Sequence, residues 1–205
     1  MFAGCGAIVL DSERDGSLGS TGIAAAFGLV IMAMVYATGH LSGAHINPAV
    51  TIAFSTTRHF PPRDAAAYVP SQLAGAVAGA LLLRIVWHGT PADLGATVPT
   101  VGSGSALVYE GVMTAFLMFV IMAVATDTRA VGEAAAIAIG GTVGLDAMFG
   151  GPVTGASMNP ARSLGPAIAS GELSSIWVYL AAPLLGAAAA AFVYQFLRTG
   201  ESQAA

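Results

Sequence analysis

Two asparagines with matching neighbours carry the most chemistry in this chain. Asn47-Pro48-Ala49 sits in the decapeptide Ser42-Gly43-Ala44-His45-Ile46-Asn47-Pro48-Ala49-Val50-Thr51. Asn159-Pro160-Ala161 sits in Thr154-Gly155-Ala156-Ser157-Met158-Asn159-Pro160-Ala161-Arg162-Ser163, 112 positions later. Asn is a good N-cap and Pro a good first helical residue, so each tripeptide reads as a helix start. A helix N-terminus carries about half a positive charge, and each Asn adds an amide donor. Two such ends at one point repel cations and orient a passing water or hydroxyl oxygen, which breaks a continuous proton wire. Neutral solutes with acceptor oxygens still pass. One Asn-Pro alone is also what a simple capped turn looks like; two in matching decapeptides favour the paired reading.

The elements that position these ends follow from hydropathy. Of 205 residues, 56% are hydrophobic and only 9% charged, with a mean hydropathy of +0.76. A soluble domain carries about 25% charged residues. Five apolar stretches, 20–40, 65–87, 104–126, 134–152 and 174–197, approach or exceed the ~20 residues that a helix needs to cross the hydrocarbon core. They lack barrel-strand alternation, so the expectation is an all-α membrane protein. The stretch from Asn47 to about Thr56 is half a span long and ends at Arg58, two prolines and Arg63. It reads as a re-entrant half-helix. A second half-helix runs from Asn159 towards Ala169, with Pro166 expected to kink or shorten it.

The chain reads as one channel domain over 1–205. Its halves, about 1–87 and 104–197, are inverted repeats joined by a Gly/Pro/Thr/Ser linker at about 88–103. Residues 11–19 are expected to form a polar loop. Residues 1–10 are apolar but too few to span, and read as the second half of a first spanning helix whose beginning is missing. With the carboxyl terminus inside, Arg58, Arg63, Arg129 and Arg198 fall on the cytoplasmic side and Arg14 and Arg84 outside, in accord with the positive-inside rule. Two GxxxG patterns, from Gly75 to Gly79 and from Gly140 to Gly144, point to close helix crossings. The lone Cys5 excludes an intrachain disulfide and reads as a packing residue. A net charge of −4 without a basic patch gives no reason to expect nucleic acid as a partner. No HExxH, paired carboxylates or Ser/His/Asp pattern points to an enzyme. His40 and His59 have no metal-like spacing, and no cofactor is expected.

With both decapeptides, the chain resembles the major intrinsic protein family, the aquaporins and aquaglyceroporins. Gly4-Cys5-Gly6, Tyr68 to Gly75 and Pro183 to Gly186 add weaker matches. The resemblance implies six transmembrane helices, the first truncated here, plus two half-helices, a pore through each subunit and a homotetramer in the cell membrane. It also implies a constriction of four residues: Phe27, Ala147, Ala156 and Arg162. Water channels of the family commonly carry His where this chain has Ala147, so a wider and less hydrophilic constriction is implied. Residues from Gly155 to Ala167, with Ser163 after the Arg, look most like the nodulin-26-like branch and its bacterial relatives. That branch is associated with water, glycerol and neutral hydroxylated metalloids such as arsenite or boric acid.

Glu110 lies in a span, and the resemblance implies that it binds the backbone of a re-entrant loop. Its counterpart in the first half would precede Met1. Asp146, next to Ala147, either faces away and bonds loop backbone or faces the pore and binds solute hydroxyls. His45 reads as a loop-packing residue rather than a gate. A passive channel for small neutral solutes and water is the leading expectation. A coupled secondary transporter is the competing class, which needs titratable groups near the midplane, where Glu110 and Asp146 are the candidates. A non-conducting family member is a further alternative.

Overall fold

The computed structural model describes residues 1–127 and 134–201, with side chains up to residue 198. Arg129, expected on the cytoplasmic side, lies outside the described residues. Eight α-helices are present among them: α1 (Phe2–Glu13), α2 (Gly19–Ser42), α3 (Pro48–Thr56), α4 (Pro62–Val86), α5 (Ser103–Thr126), α6 (Ala135–Thr154), α7 (Pro160–Ser170) and α8 (Ile176–Glu201). Five of them, α2, α4, α5, α6 and α8, are long and apolar enough to cross a membrane. Each of the five apolar stretches becomes one of these long helices, extended at one or both ends because polar or capping residues stop it later than hydropathy alone requires. Gly43, for example, ends α2 in the left-handed conformation and donates its N–H to the Gly39 carbonyl.

Two local expectations change. α1 runs on to Glu13, so the polar loop is shorter than 11–19. The reason is Asp11, whose Oδ1 accepts from the N–H groups of Leu18 and Gly19 at 2.8 Å each. A residue in the last turn of α1 thereby satisfies donors at the start of α2. Pro166 also does not shorten the second half-helix, which continues through it to Ser170. The fixed φ of proline is compatible with a helix, and a missing N–H costs less in a short helix seated on a neighbour than in a free one. That seat is α4: a Cβ on Gly165 would lie 2.7 Å from the Ala76 carbonyl oxygen.

The long helices pack as α2 against α6 and α5 against α8. α3 lies against α8 and α7 against α4, so each short helix rests on a long helix from the other end of the chain. Both GxxxG patterns mark close approaches, of different kinds: a Cβ on Gly140 would meet the Gly28 carbonyl at 2.6 Å, and one on Gly79 would lie 2.7 Å from Met1 Cβ at the start of α1, whereas Gly75 has open space around it. Within α2 the run Ile31-Met32-Ala33-Met34 splits between environments, with Ile31 packed against the main core and Met34 exposed. That core gathers Ala49 and Val50 of the short α3 with Met113 and Met118 of α5, Val143 of α6 and Ala187 of α8.

Candidate functional site

Asn47 takes extended backbone angles (φ −154°, ψ 119°) ahead of Pro48, and its Oδ1 accepts the Ala49 N–H at 2.9 Å. Asn159 does the same ahead of Pro160 (φ −152°, ψ 109°), accepting from Ala161 at 3.0 Å and Arg162 at 3.3 Å. Each carboxamide oxygen is thus spent on capping its own helix. The nitrogens reach across. Asn47 Nδ2 donates to the Met158 carbonyl at 2.8 Å, and Asn159 Nδ2 donates to the Ile46 carbonyl at 2.9 Å. The two helix starts are therefore tied by a reciprocal pair of hydrogen bonds.

The carbonyls come into reach because the loops turn the same way. Ala44 and Ile46 have φ of 46° and 54°; Ala156 and Met158 have 41° and 54°. Left-handed backbone at non-glycine residues is uncommon and persists where surrounding structure holds it. An amide NH₂ has two hydrogens, and each Asn uses only one on protein among the described residues. Asn47 and Asn159 both line a cavity of about 340 Å³. The unused hydrogens supply donors beside space with room for several water-sized molecules, each of about 30 Å³ in the liquid. Pro48, Ala49 and Pro160 are buried off the cavity and serve the helix starts; Ala161 lines it.

Phe27, Ala147, Ala156 and Arg162 line the same cavity, although they come from α2, α6, a loop and α7. Arg162 is 5% exposed. Its Nη1 donates to the Gly95 carbonyl at 2.6 Å, and its Cζ lies 4.9 Å from the centre of the Phe27 ring. Gly95 belongs to the stretch expected to be a linker. There Pro91–Gly95 forms a compact turn with Ala92, Asp93 and Leu94 all at positive φ. Thr97 continues the contact, its hydroxyl 2.7 Å from that of Ser163. Sequence reasoning missed this role of 91–97, since a Gly/Pro-rich composition marks a loop but not its partners.

Glu110 is fully buried off the cavity. One oxygen accepts from Ser157 N–H at 2.9 Å and the Thr154 hydroxyl at 2.7 Å; the other accepts from Met158 N–H at 2.8 Å. Asp146 is also buried and does not line the cavity, but neither of its carboxylate oxygens has a hydrogen-bond partner among the described residues. It therefore matches neither expectation in full: it lies away from the cavity without bonding loop backbone. His45 packs among Phe54, Phe60 and Tyr68, with ring centroids 5.0, 4.7 and 5.0 Å away, and also lines the cavity. Among the described residues no group of three or more His, Cys, Asp or Glu side chains forms a metal site.

Long apolar helices, two short helices meeting at their N-termini and a cavity at that meeting point define a channel of the membrane. The family model described as "Major intrinsic protein" matches residues 1–194, and the chain belongs to that family. It is 52% identical over 198 residues to Nodulin-26 of Glycine max, covering 97% of this chain and 73% of that one. It is 50% identical over 198 residues to Aquaporin NIP1-1 of Zea mays, covering 97% and 70%. Among solved structures it is similar to the aquaglyceroporin from Plasmodium falciparum, with a TM-score of 0.85 and 26% identity over 100% of this chain and 93% of that one. The protein is a multi-pass membrane protein of the aquaporin kind, a transmembrane channel family for water and small solutes.

Proposed function

We propose that this channel conducts water and small neutral hydroxylated solutes, glycerol and uncharged arsenite or boric acid among them, and excludes protons and ions. The observation that carries the reading is the reciprocal Asn47/Asn159 pair. It leaves one amide hydrogen on each side of the cavity for a solute oxygen, at the positive ends of two helices. A cation is opposed there by the amide donors and the positive ends of two helices. Phe27, Ala147, Ala156 and Arg162 set the size and polarity of the opening: two alanines leave room, Phe27 gives an apolar wall, and Arg162 gives donors to hydroxyl oxygens. Similarity to Nodulin-26 and to an aquaglyceroporin supports a solute range beyond water.

The subunits assemble as a homotetramer in the cell membrane with the carboxyl terminus cytoplasmic. The exposed apolar faces of α2 and α4, with Leu29, Leu81, Leu82 and Ile85 outward, are available to lipid and neighbouring copies. Residues 1–87 and 104–197 act as inverted halves. The matched left-handed residues of the two loops support that reading. Coupled transport has little to work with, because Glu110 is saturated by three donors and Asp146 is off the cavity.

Stopped-flow permeability of proteoliposomes, run with water, glycerol and arsenite in parallel, tests the proposal. Flux of all three without a pH response in the lumen is expected. Water flux without glycerol flux overturns the wide-opening reading, and uphill uptake driven by a pH gradient overturns passive conduction.

A further inference from the structure

α1 reaches Arg162 of the cavity lining through Cys5. Cys5 is fully buried, and its Sγ lies 3.5 Å from Arg162 Nη1. The same nitrogen donates to the Gly95 carbonyl, and the Cys5 thiol approaches that carbonyl at a long 4.0 Å. Nitrogen, oxygen and sulfur thus close a triangle at one end of the guanidinium. Nη1 is the guanidinium nitrogen with hydrogen-bond acceptors among the described residues, while Nε is buried with none. The orientation of the whole planar group therefore hangs on this triangle and on the Phe27 ring.

The size of residue 5 also places the carbonyl. Gly95 has φ 75°, and a Cβ added to it would lie 3.1 Å from Cys5 Cβ. Cys5, Leu94 and Leu83 form one buried cluster. A bulkier residue at position 5 would push the Pro91–Gly95 turn, and the carbonyl with it, away from Arg162. A residue without a polar atom would leave Nη1 one acceptor short. Sulfur is a weak acceptor, so the effect is moderate.

We propose that Cys5 is a positioning residue for Arg162: with the Gly95 carbonyl it holds the guanidinium in one orientation, and so sets the selectivity among neutral solutes. This rests on the reading of Arg162 as a donor in the solute path. The test compares wild type with Cys5→Ser, Cys5→Ala and Cys5→Val in proteoliposomes by the ratio of glycerol to water permeability. It also follows the guanidinium ¹⁵N resonances of the arginines, which need no conduction. Cys5→Ser, which keeps a polar atom of similar size, retains the wild-type ratio and arginine spectrum. Cys5→Ala and Cys5→Val release the guanidinium into the opening and lower the ratio by about three- to tenfold, the worth of one hydrogen bond, and one arginine resonance moves. An unchanged ratio and spectrum in Cys5→Ala, or a Cys5→Ser change as large as that of Cys5→Ala, overturns the proposal. If wild type conducts neither solute, the channel reading fails, and the arginine spectra alone still decide the contact.

Discussion

The two re-entrant loops share half of their decapeptide residues and the same pattern of left-handed backbone, yet they are held in different ways. The second is fastened by a buried charge. Glu110 collects Ser157 N–H, Met158 N–H and the Thr154 hydroxyl, and Tyr179 adds a 2.6 Å bond to the Thr154 carbonyl. A hydroxyl chain of Thr97, Ser163 and Ser157 locks its far side. In the first loop the corresponding His45 and Ile46 N–H groups meet no acceptor among the described residues. Among the described residues that loop is held by the aromatic cluster around His45, and by Thr51, whose hydroxyl is 3.0 Å from both His45 Nδ1 and Gln72 Nε2. A carboxylate with three donors is a stiffer anchor than ring packing with one hydroxyl. Among the described residues, the paired asparagines thus join a loop held by a carboxylate to one held by ring packing, and Arg162 belongs to the carboxylate side.

Removing the stiff anchor breaks the comparison most severely. Glu110→Ala strands three buried donors at about 1–3 kcal/mol each, so a large fall in the thermal midpoint in detergent is expected. Glu110→Gln keeps one strong acceptor and falls less. A wild-type melting curve for Glu110→Ala means that the second loop is held by something else.

Cutting the tie between the loops comes next. Asn159→Ala loses a cap over two N–H groups and the bond to Ile46, while Asn47→Ala loses a cap over one and the bond to Met158. Each costs about 1–2 kcal/mol, with Asn159→Ala the larger. Both are expected to admit more cation leak, read as conductance in planar bilayers. Equal stability and no leak in either variant contradicts the role given to the pair.

Thr51→Val sharpens the picture of the softer loop. It removes three hydroxyl contacts, to His45 Nδ1, Gln72 Nε2 and the Asn47 carbonyl, for about 1 kcal/mol, and hydrogen exchange at His45 and Ile46 should quicken while Ser157 and Met158 stay protected. Uniform exchange in both loops would erase the stated difference.

The smallest effect is expected at Asp146. Asp146→Asn removes a buried carboxylate without partners, so stability holds or rises by about 1 kcal/mol. Solute permeability should not change, because the residue is off the cavity. Lost permeability with an intact fold would place Asp146 in the solute path after all.

Much of this was legible in the residues. Asn-Pro at 47–48 and 159–160 announces helix starts because capping is a matter of a few adjacent atoms, and the spans follow because lipid tolerates only runs of apolar helix. Contacts between distant elements were not legible. Pro166 was expected to kink or shorten its helix because the seat of that helix, Gly165 against Ala76, lies elsewhere in the chain. Gly75 and Gly79 looked like Gly140 and Gly144, yet only the latter meet a partner glycine, at position 28. Residues 88–103 looked like a spacer because composition does not reveal that Gly95 faces Arg162.

The sequence alone determined where two half-helices begin, which stretches cross the membrane, and that two matched donors with positive helix ends belong together. Those are consequences of local capping and of solvent. Only the tertiary structure decided that each asparagine nitrogen takes the opposite loop's carbonyl, that Glu110 grips one loop, and that Cys5 and Gly95 hold Arg162. Such bonds join residues from 44 to 157 positions apart, and their geometry depends on how closely the helices pack.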